Sequence, residues 1–185
     1  MGTHKLLLVF FFFSLLSLRC SSVQKVTLAP PLKVVTFSVE GKLTQTTQYC
    51  GGVAPTWEQQ MEYNHPKPYQ TKLYVRKGKE NSDKELLFDS VMVDTAGNFH
   101  FDLPAGDYTI ILPSQRKKEI INTYLKMANS NLEVDEKCLN AWWTNGLFQI
   151  SVVDKNITQL DHNFFNSCFV PLYSTCFNYM GPWPP

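Results

Sequence analysis

His100 and Asp102 stand two residues apart in Asn98-Phe99-His100-Phe101-Asp102-Leu103. An extended backbone puts both side chains on one face, the placement that an acid–base pair needs. The same spacing also describes an ordinary wet strand face, which is the expectation adopted. Asp94, Asp102 and Asp107 bracket two turns and could offer oxygen ligands to a hard cation such as calcium. Asp is equally a standard turn residue, so no metal site is expected. His65 and His162 fall in predicted loops without partners at ligand spacing. The chain holds no Gly-x-Ser-x-Gly elbow, no phosphate-binding glycine loop and no His-Glu-x-x-His. No catalytic residue and no cofactor are therefore assigned.

Cysteine chemistry is more informative. Of five cysteines, Cys20 lies at the end of an N-terminal export pattern, which leaves Cys50, Cys138, Cys168 and Cys176. An even set in an oxidising compartment predicts two disulfides. There is no Cys-x-x-Cys and no His at ligand spacing from a Cys, so zinc is disfavoured. Cys168 with Cys176 closes the smallest loop, around Pro171, and the favoured connectivity is Cys168–Cys176 with Cys50–Cys138. In the rival arrangement, Cys168 or Cys176 reaches back to Cys50 or Cys138.

Trp57, Trp142, Trp143 and Trp183 form the remaining set. A flat exposed aromatic can stack on a sugar or anchor a partner, but aromatics beside cysteines often pack over a disulfide. Adjacent Trp142 and Trp143 cannot both point inward on an extended chain. Trp57, Trp142, Trp143 and His100 make a candidate binding surface. Asn156-Ile157-Thr158 matches a glycosylation acceptor, relevant only in a eukaryotic secretory pathway.

The elements that must position these groups read mainly as strands. Phe99, Phe101 and Leu103 alternate with polar residues, and turn residues at Asp94 to Asn98 and Pro104 to Asp107 flank the run. Gly97 and Gly106 supply the positive φ that tight hairpin loops use. Further strands are expected at Lys33 to Val39, ending at Gly41, and at Lys72 to Arg76, Leu86 to Val93, Asp107 to Leu112 and Leu147 to Val153. Val35, Phe37, Val39, Leu73, Val75, Phe99, Phe101, Tyr108, Ile110, Phe148, Ile150 and Val152 are the predicted core. Ile120, Ile121, Tyr124, Leu125 and Ala128 recur at helical spacing, predicting one amphipathic helix over 115–128, docked through Ile121 and Leu125. The segment 48–70 reads as an insertion with a short helix from Thr56 through Met61. A polar loop is expected to carry Cys138, Trp142 and Trp143.

The whole chain carries 17 Lys and Arg against 16 Asp and Glu. Removing Lys5 and Arg19 with the signal leaves 15 against 16, a net charge of −1. Arg116-Lys117-Lys118 runs straight into Glu119 and Arg76-Lys77-Gly78-Lys79 into Glu80, so both read as solvated faces and no nucleic acid is expected. Lys5 followed by the apolar run Leu6 to Leu18 reads as an export signal, too short to span a bilayer. Cys20 is either a lipidated first residue of a bacterial lipoprotein or is discarded with the signal; Arg19 stands where a small residue is usual. The organisation is then 1–22 export signal, 23–32 linker, 33–157 sandwich domain and 158–185 an extended strap rich in cysteine and aromatics.

Lys72-Leu73-Tyr74-Val75-Arg76-Lys77-Gly78, Thr95-Ala96-Gly97-Asn98-Phe99-His100-Phe101 and Leu103-Pro104-Ala105-Gly106-Asp107-Tyr108-Thr109-Ile110, with Gly41 before them, resemble the carboxypeptidase-regulatory-like group of transthyretin-type β-sandwiches. The likeness covers roughly residues 33 to 112. Gln48-Tyr49-Cys50-Gly51-Gly52 with Pro55, and the closing Cys176 and Tyr179 to Pro185, also resemble small exported proteins of Gram-negative bacteria that carry this domain. The resemblance implies a seven-stranded Greek-key-like sandwich used as a folding or binding accessory. Hydrolytic cousins in the transthyretin class end in Tyr-Arg-Gly-Ser, whereas this chain ends in Gly181-Pro182-Trp183-Pro184-Pro185.

The expectation is a monomeric, non-enzymatic binding or structural module, exported to the periplasm, the outer-membrane surface or the medium. Its partner would be an envelope protein, a peptide or a glycan, and it would touch the membrane only through a lipid on Cys20. The alternative is a hydrolase or small-ligand-binding enzyme with a site built from the 48–70 insertion and His100.

Overall fold

The computed structural model describes residues 34–170 and 176–182. The export signal, the linker, Cys20, Pro171 and Trp183 lie outside the described residues. Ten strands and three α-helices follow in order. They are β1 (Thr36–Thr47), α1 (Trp57–Asn64), β2 (Lys67–Pro68), β3 (Lys72–Lys77), β4 (Leu87–Met92), β5 (Asn98–Pro104), β6 (Gly106–Ile111), α2 (Ile120–Leu125), β7 (Leu132–Val134), α3 (Glu136–Asn145), β8 (Phe148–Val152), β9 (His162–Asn166) and β10 (Phe177–Tyr179). No helix among the described residues is long and apolar enough to cross a membrane.

The protein is a mainly-β sandwich. One sheet runs β2-β1-β5 with β9 added to β1, the other runs β4-β3-β6-β8, and β7 with β10 makes a small separate ribbon. Alternation builds the space between the two main sheets. Val39 and Leu43 of β1, Phe99, Phe101 and Leu103 of β5, and Phe164 of β9 meet Leu73, Val75, Tyr108, Ile110, Ile150 and Val152 of the second sheet in one buried cluster. The chain crosses between sheets at Pro104–Gly106, where the Tyr108 hydroxyl donates to the Pro104 carbonyl at 2.9 Å. That bond pins the corner in the way a tyrosine fixes the turn of an immunoglobulin-type sandwich.

β1 does not end at Gly41 but continues to Thr47. Val35 is consequently not core but 68% exposed, since it precedes the strand, and Leu43 is fully buried in its stead. Gly41 is there for packing: a Cβ would strike the carbonyl of Leu160 and the ring of Phe99. Gly97 meets the turn requirement, with φ +87°. Phe37 and Phe148 are only partly buried at the margin of the core.

The second departure concerns the helices. The amphipathic helix is confined to Ile120–Leu125, because a 3-10 turn over Pro113–Gln115 precedes it. The segment expected as a polar loop is α3. Asp135 caps it by accepting from Cys138 N, and its buried face carries Leu139 and Trp143, four residues apart. Ile121, Tyr124, Leu132, Leu139, Trp143, Cys176 and Phe177 make a second core of their own, with Leu125 against its edge.

This helical cap is tied to the second sheet by buried polar groups. Gln115 is fully buried. Its amide oxygen accepts from Leu112 N and its amide nitrogen donates to the Trp142 carbonyl. Asn81 donates to the carbonyls of Gln115 and Trp143. Arg76 reaches across from β3 and donates to the Arg116 carbonyl at 2.7 Å, while its Nε and Nη1 find no partner among the described residues.

The segment 158–185, expected as a strap, supplies two strands. Residues 156–166 follow the free side of β1: Glu40 N donates to Ile157 O, Lys42 N to the Asp161 carboxylate, and β9 then pairs in parallel with Leu43–Thr47. β10 pairs with β7 in the cap.

Candidate functional site

The pairing of β1 with β5 sets Glu40 opposite His100 and Ser38 opposite Asp102 on the outer face of the first sheet. His100 Nδ1 lies 3.2 Å from Glu40 Oε1, and Nε2 lies 3.3 Å from Asp102 Oδ1. The Ser38 hydroxyl donates to Glu40 at 2.6 Å and sits 3.3 Å from His100 Nδ1. The structure thus unites the expected His100 and Asp102 and adds two residues some sixty positions away. The period-two pattern of β1 was the signal for those partners, but only strand register reveals them.

Electrostatics define what this cluster can do. The hydrogen bond to Asp102, followed by that to Glu40, raises the His100 pKa above its ordinary value. Hydrogen bonds from Ser38 and His100 lower that of Glu40. An imidazole bracketed by two carboxylates favours its protonated form, with both N–H groups committed. It makes a poor general base, and the serine hydroxyl is directed to Glu40. The side chains of His100, Glu40 and Asp102 are half or more exposed. A shallow cleft of about 570 Å³ touches Glu40, Lys42, Asp94, His100 and Asp161, and no residue of 48–70 lines it.

Asp94, Asp102 and Asp107 each serve a local purpose. Asp94 accepts from Ala96 N and Asn98 N in its own turn. Asp107 takes the Ser151 hydroxyl and stands 3.8 Å from Lys79. No group of three His, Cys, Asp or Glu side chains suited to a metal ion occurs among the described residues.

The cysteines form two disulfides, Cys50–Cys168 and Cys138–Cys176. The favoured pairing of Cys168 with Cys176 and Cys50 with Cys138 is therefore corrected to the rival one. Strand register is the cause. Parallel pairing of β9 with β1 carries Cys168 alongside Gln48, whose side-chain oxygen accepts from Cys168 N. Pairing of β10 with β7 brings the Cys176 carbonyl to Asp135 N, at the start of the helix that bears Cys138. Cys168 follows β9 and Cys176 precedes β10, so the two tail cysteines are carried to different partners instead of to each other.

Cys50–Cys168 anchors the insertion. Thr56 and Gln59 form a reciprocal capping box that starts α1. Tyr49 packs edge-on against Tyr63 at 5.4 Å. No residue of α1 is buried. Trp57 and Met61, one turn apart, are 70% and 56% exposed, and Val53 nearby is also exposed. His65 caps the helix end through its backbone. Trp143 is buried in the cap and Trp142 is partly buried, edge-on to Tyr124 at 6.0 Å. Of the described candidate tryptophans, Trp57 is the one presented to solvent.

No protein-family model matches the chain. No curated protein matches it either. Among solved structures, the TIE protein of Bacillus anthracis aligns over 71% of this chain and 17% of that one, at 13% identity and TM-score 0.31. A mutant of the shaft pilin SpaA from Lactobacillus rhamnosus GG aligns over 71% of this chain and 49% of that one, at 10% identity and TM-score 0.32. The chain thus spans less than half the length of each of these proteins.

Proposed function

We propose that the protein is an exported, non-enzymatic binding or structural module of the cell envelope, and that it meets its partner through the α1 face bearing Trp57 and Met61. One observation carries this reading. An eight-residue helix with no buried residue is held by a capping box and a disulfide, with a tryptophan and a methionine left in water. A helix this short is marginal without tertiary support, and the exposed Trp57 and Met61, with Val53 nearby, form the kind of apolar patch that marks interaction sites. Large aromatics are also the side chains that most often anchor interfaces.

Two disulfides and the N-terminal export pattern support an oxidising destination. The resemblance of the turn and strand motifs to carboxypeptidase-regulatory-like domains is in keeping with an accessory role. Against a hydrolase, His100 stands on an open sheet face with both ring nitrogens facing carboxylates, and His65 is placed elsewhere, at the end of α1.

A photo-crosslinking side chain installed at Trp57, in cells that export the protein, tests the proposal. The expected result is a discrete envelope adduct that is absent when the same group replaces His100. Equal labelling from both positions, or none from position 57, would overturn the assignment of this face.

A further inference from the structure

The open end of the sandwich, where α3 passes near the ends of β6, β8 and β9, holds a half-open crevice of about 360 Å³. That volume lies within the range of small-molecule sites, which are typically apolar with a few placed polar groups. Trp142 and Ala141 of α3 form one wall, Leu112 and Leu147 a second, and Phe164 with the Cys138–Cys176 disulfide closes the rest. Gln115 and His162 are its polar lining residues besides the Trp142 indole. Gln115 has its amide committed to Leu112 N and the Trp142 carbonyl. His162 is different: it stacks edge-on against Phe148 at 6.1 Å and Phe164 at 4.5 Å. Its ring nitrogens have no hydrogen-bond partner among the described residues.

We infer that this crevice binds a small aromatic alcohol, its ring against Trp142 and Phe164 and its hydroxyl donating to the free imidazole nitrogen of His162. The walls reward a flat apolar body, and the side chain that offers an uncommitted acceptor is the His162 imidazole. Burial lowers the His162 pKa below its ordinary value, so near neutral pH the ring is uncharged and keeps an acceptor nitrogen. A hydroxyl donor satisfies that nitrogen; a carboxylate would require the protonated ring that the site disfavours. No residue of α1 lines this crevice.

The test uses 2-naphthol as the probe with the oxidised full chain at neutral pH, and equilibrium dialysis as the readout. Saturable one-to-one binding is expected. His162→Phe should weaken it about tenfold, the effect of one hydrogen bond, and naphthalene should bind wild type and variant alike. Ala141→Leu, which narrows the crevice from the α3 side, should weaken binding while the near-ultraviolet circular dichroism of the fold is retained. The absence of saturable binding to wild type would overturn the proposal. So would 2-naphthol binding that is indifferent to both substitutions.

Discussion

In the sandwich, Val39 and Leu43 of β1, Phe99, Phe101 and Leu103 of β5, Leu73 and Val75 of β3, and Tyr108 and Ile110 of β6 share one buried cluster, and paired strands satisfy the backbone. In the helical cap, a core of seven residues is joined to the second sheet by Arg76, Asn81 and Gln115, and is stitched internally by Cys138–Cys176. The first region can hold itself together by burying area. The second has too few apolar residues for that and depends on a covalent link and directional bonds. The difference teaches where each kind of damage should propagate: loss of packing should be global, whereas loss of the staple should stay local.

The largest effect should come from the sandwich. Phe101 is 2% exposed at the centre of the core. Phe101→Ala should cost about 3–5 kcal/mol, lowering the chemical-denaturation midpoint of the whole molecule. An unchanged midpoint would mean that the inner face of β5 carries little of the stability.

Removal of the cap disulfide comes next. Cys138 and Cys176 are 38 positions apart, and closing a loop of that length stabilises by about 4 kcal/mol in the chain-entropy model, with strain and residual structure reducing it. In a Cys138→Ser/Cys176→Ser variant the loss should fall on the cap. Tyr124 and Trp142 fluorescence should move towards that of exposed rings at denaturant concentrations that leave the strand circular dichroism intact. A single coincident transition would merge the two regions into one cooperative unit.

A polar substitution at the join should be smaller. Gln115→Ala would strip a buried acceptor from Leu112 N and a donor from the Trp142 carbonyl, at about 1–3 kcal/mol. Gln115→Glu should restore the acceptor but not the donor, so a differential scan should place it below the wild type. If both variants melt with the wild type, the join is held by apolar contact alone.

The smallest effects are those of the two histidines, and they have opposite signs. Carboxylates raise the folded pKa of His100. Its contribution is present in full below the unfolded value of about 6.5 and fades as pH rises through the folded pKa. Burial lowers that of His162. Its contribution is present above about pH 6.5 and is lost as pH falls through the folded value. Proton NMR of the two Cε1–H signals should show midpoints on either side of the ordinary one. The exposure of the His100 cluster to solvent keeps its share of stability small and salt-sensitive.

The same contrast explains what could be read from residues alone. Alternation with turn punctuation identifies β3, β5 and β6, because a half-buried strand imposes its period directly on the sequence. It failed at Gly41, where glycine marks the close passage of Leu160 and not the strand's end. The pattern of α3 was present in Asp135 with Leu139, Trp142 and Trp143, but the polar residues between them obscured a ten-residue helix. Disulfide pairing and the partners of His100 were illegible for a common reason. Both depend on the register between strands far apart in sequence, which no local pattern encodes.

Hydrogen exchange by mass spectrometry on the Cys138→Ser/Cys176→Ser variant tests the two-region account most directly. The prediction is that amides of 120–145 and 177–179 exchange quickly, while β1, β3, β5 and β6 keep the protection they have in the wild type. Equal loss of protection in the strands, or a cap as protected as before, would contradict it.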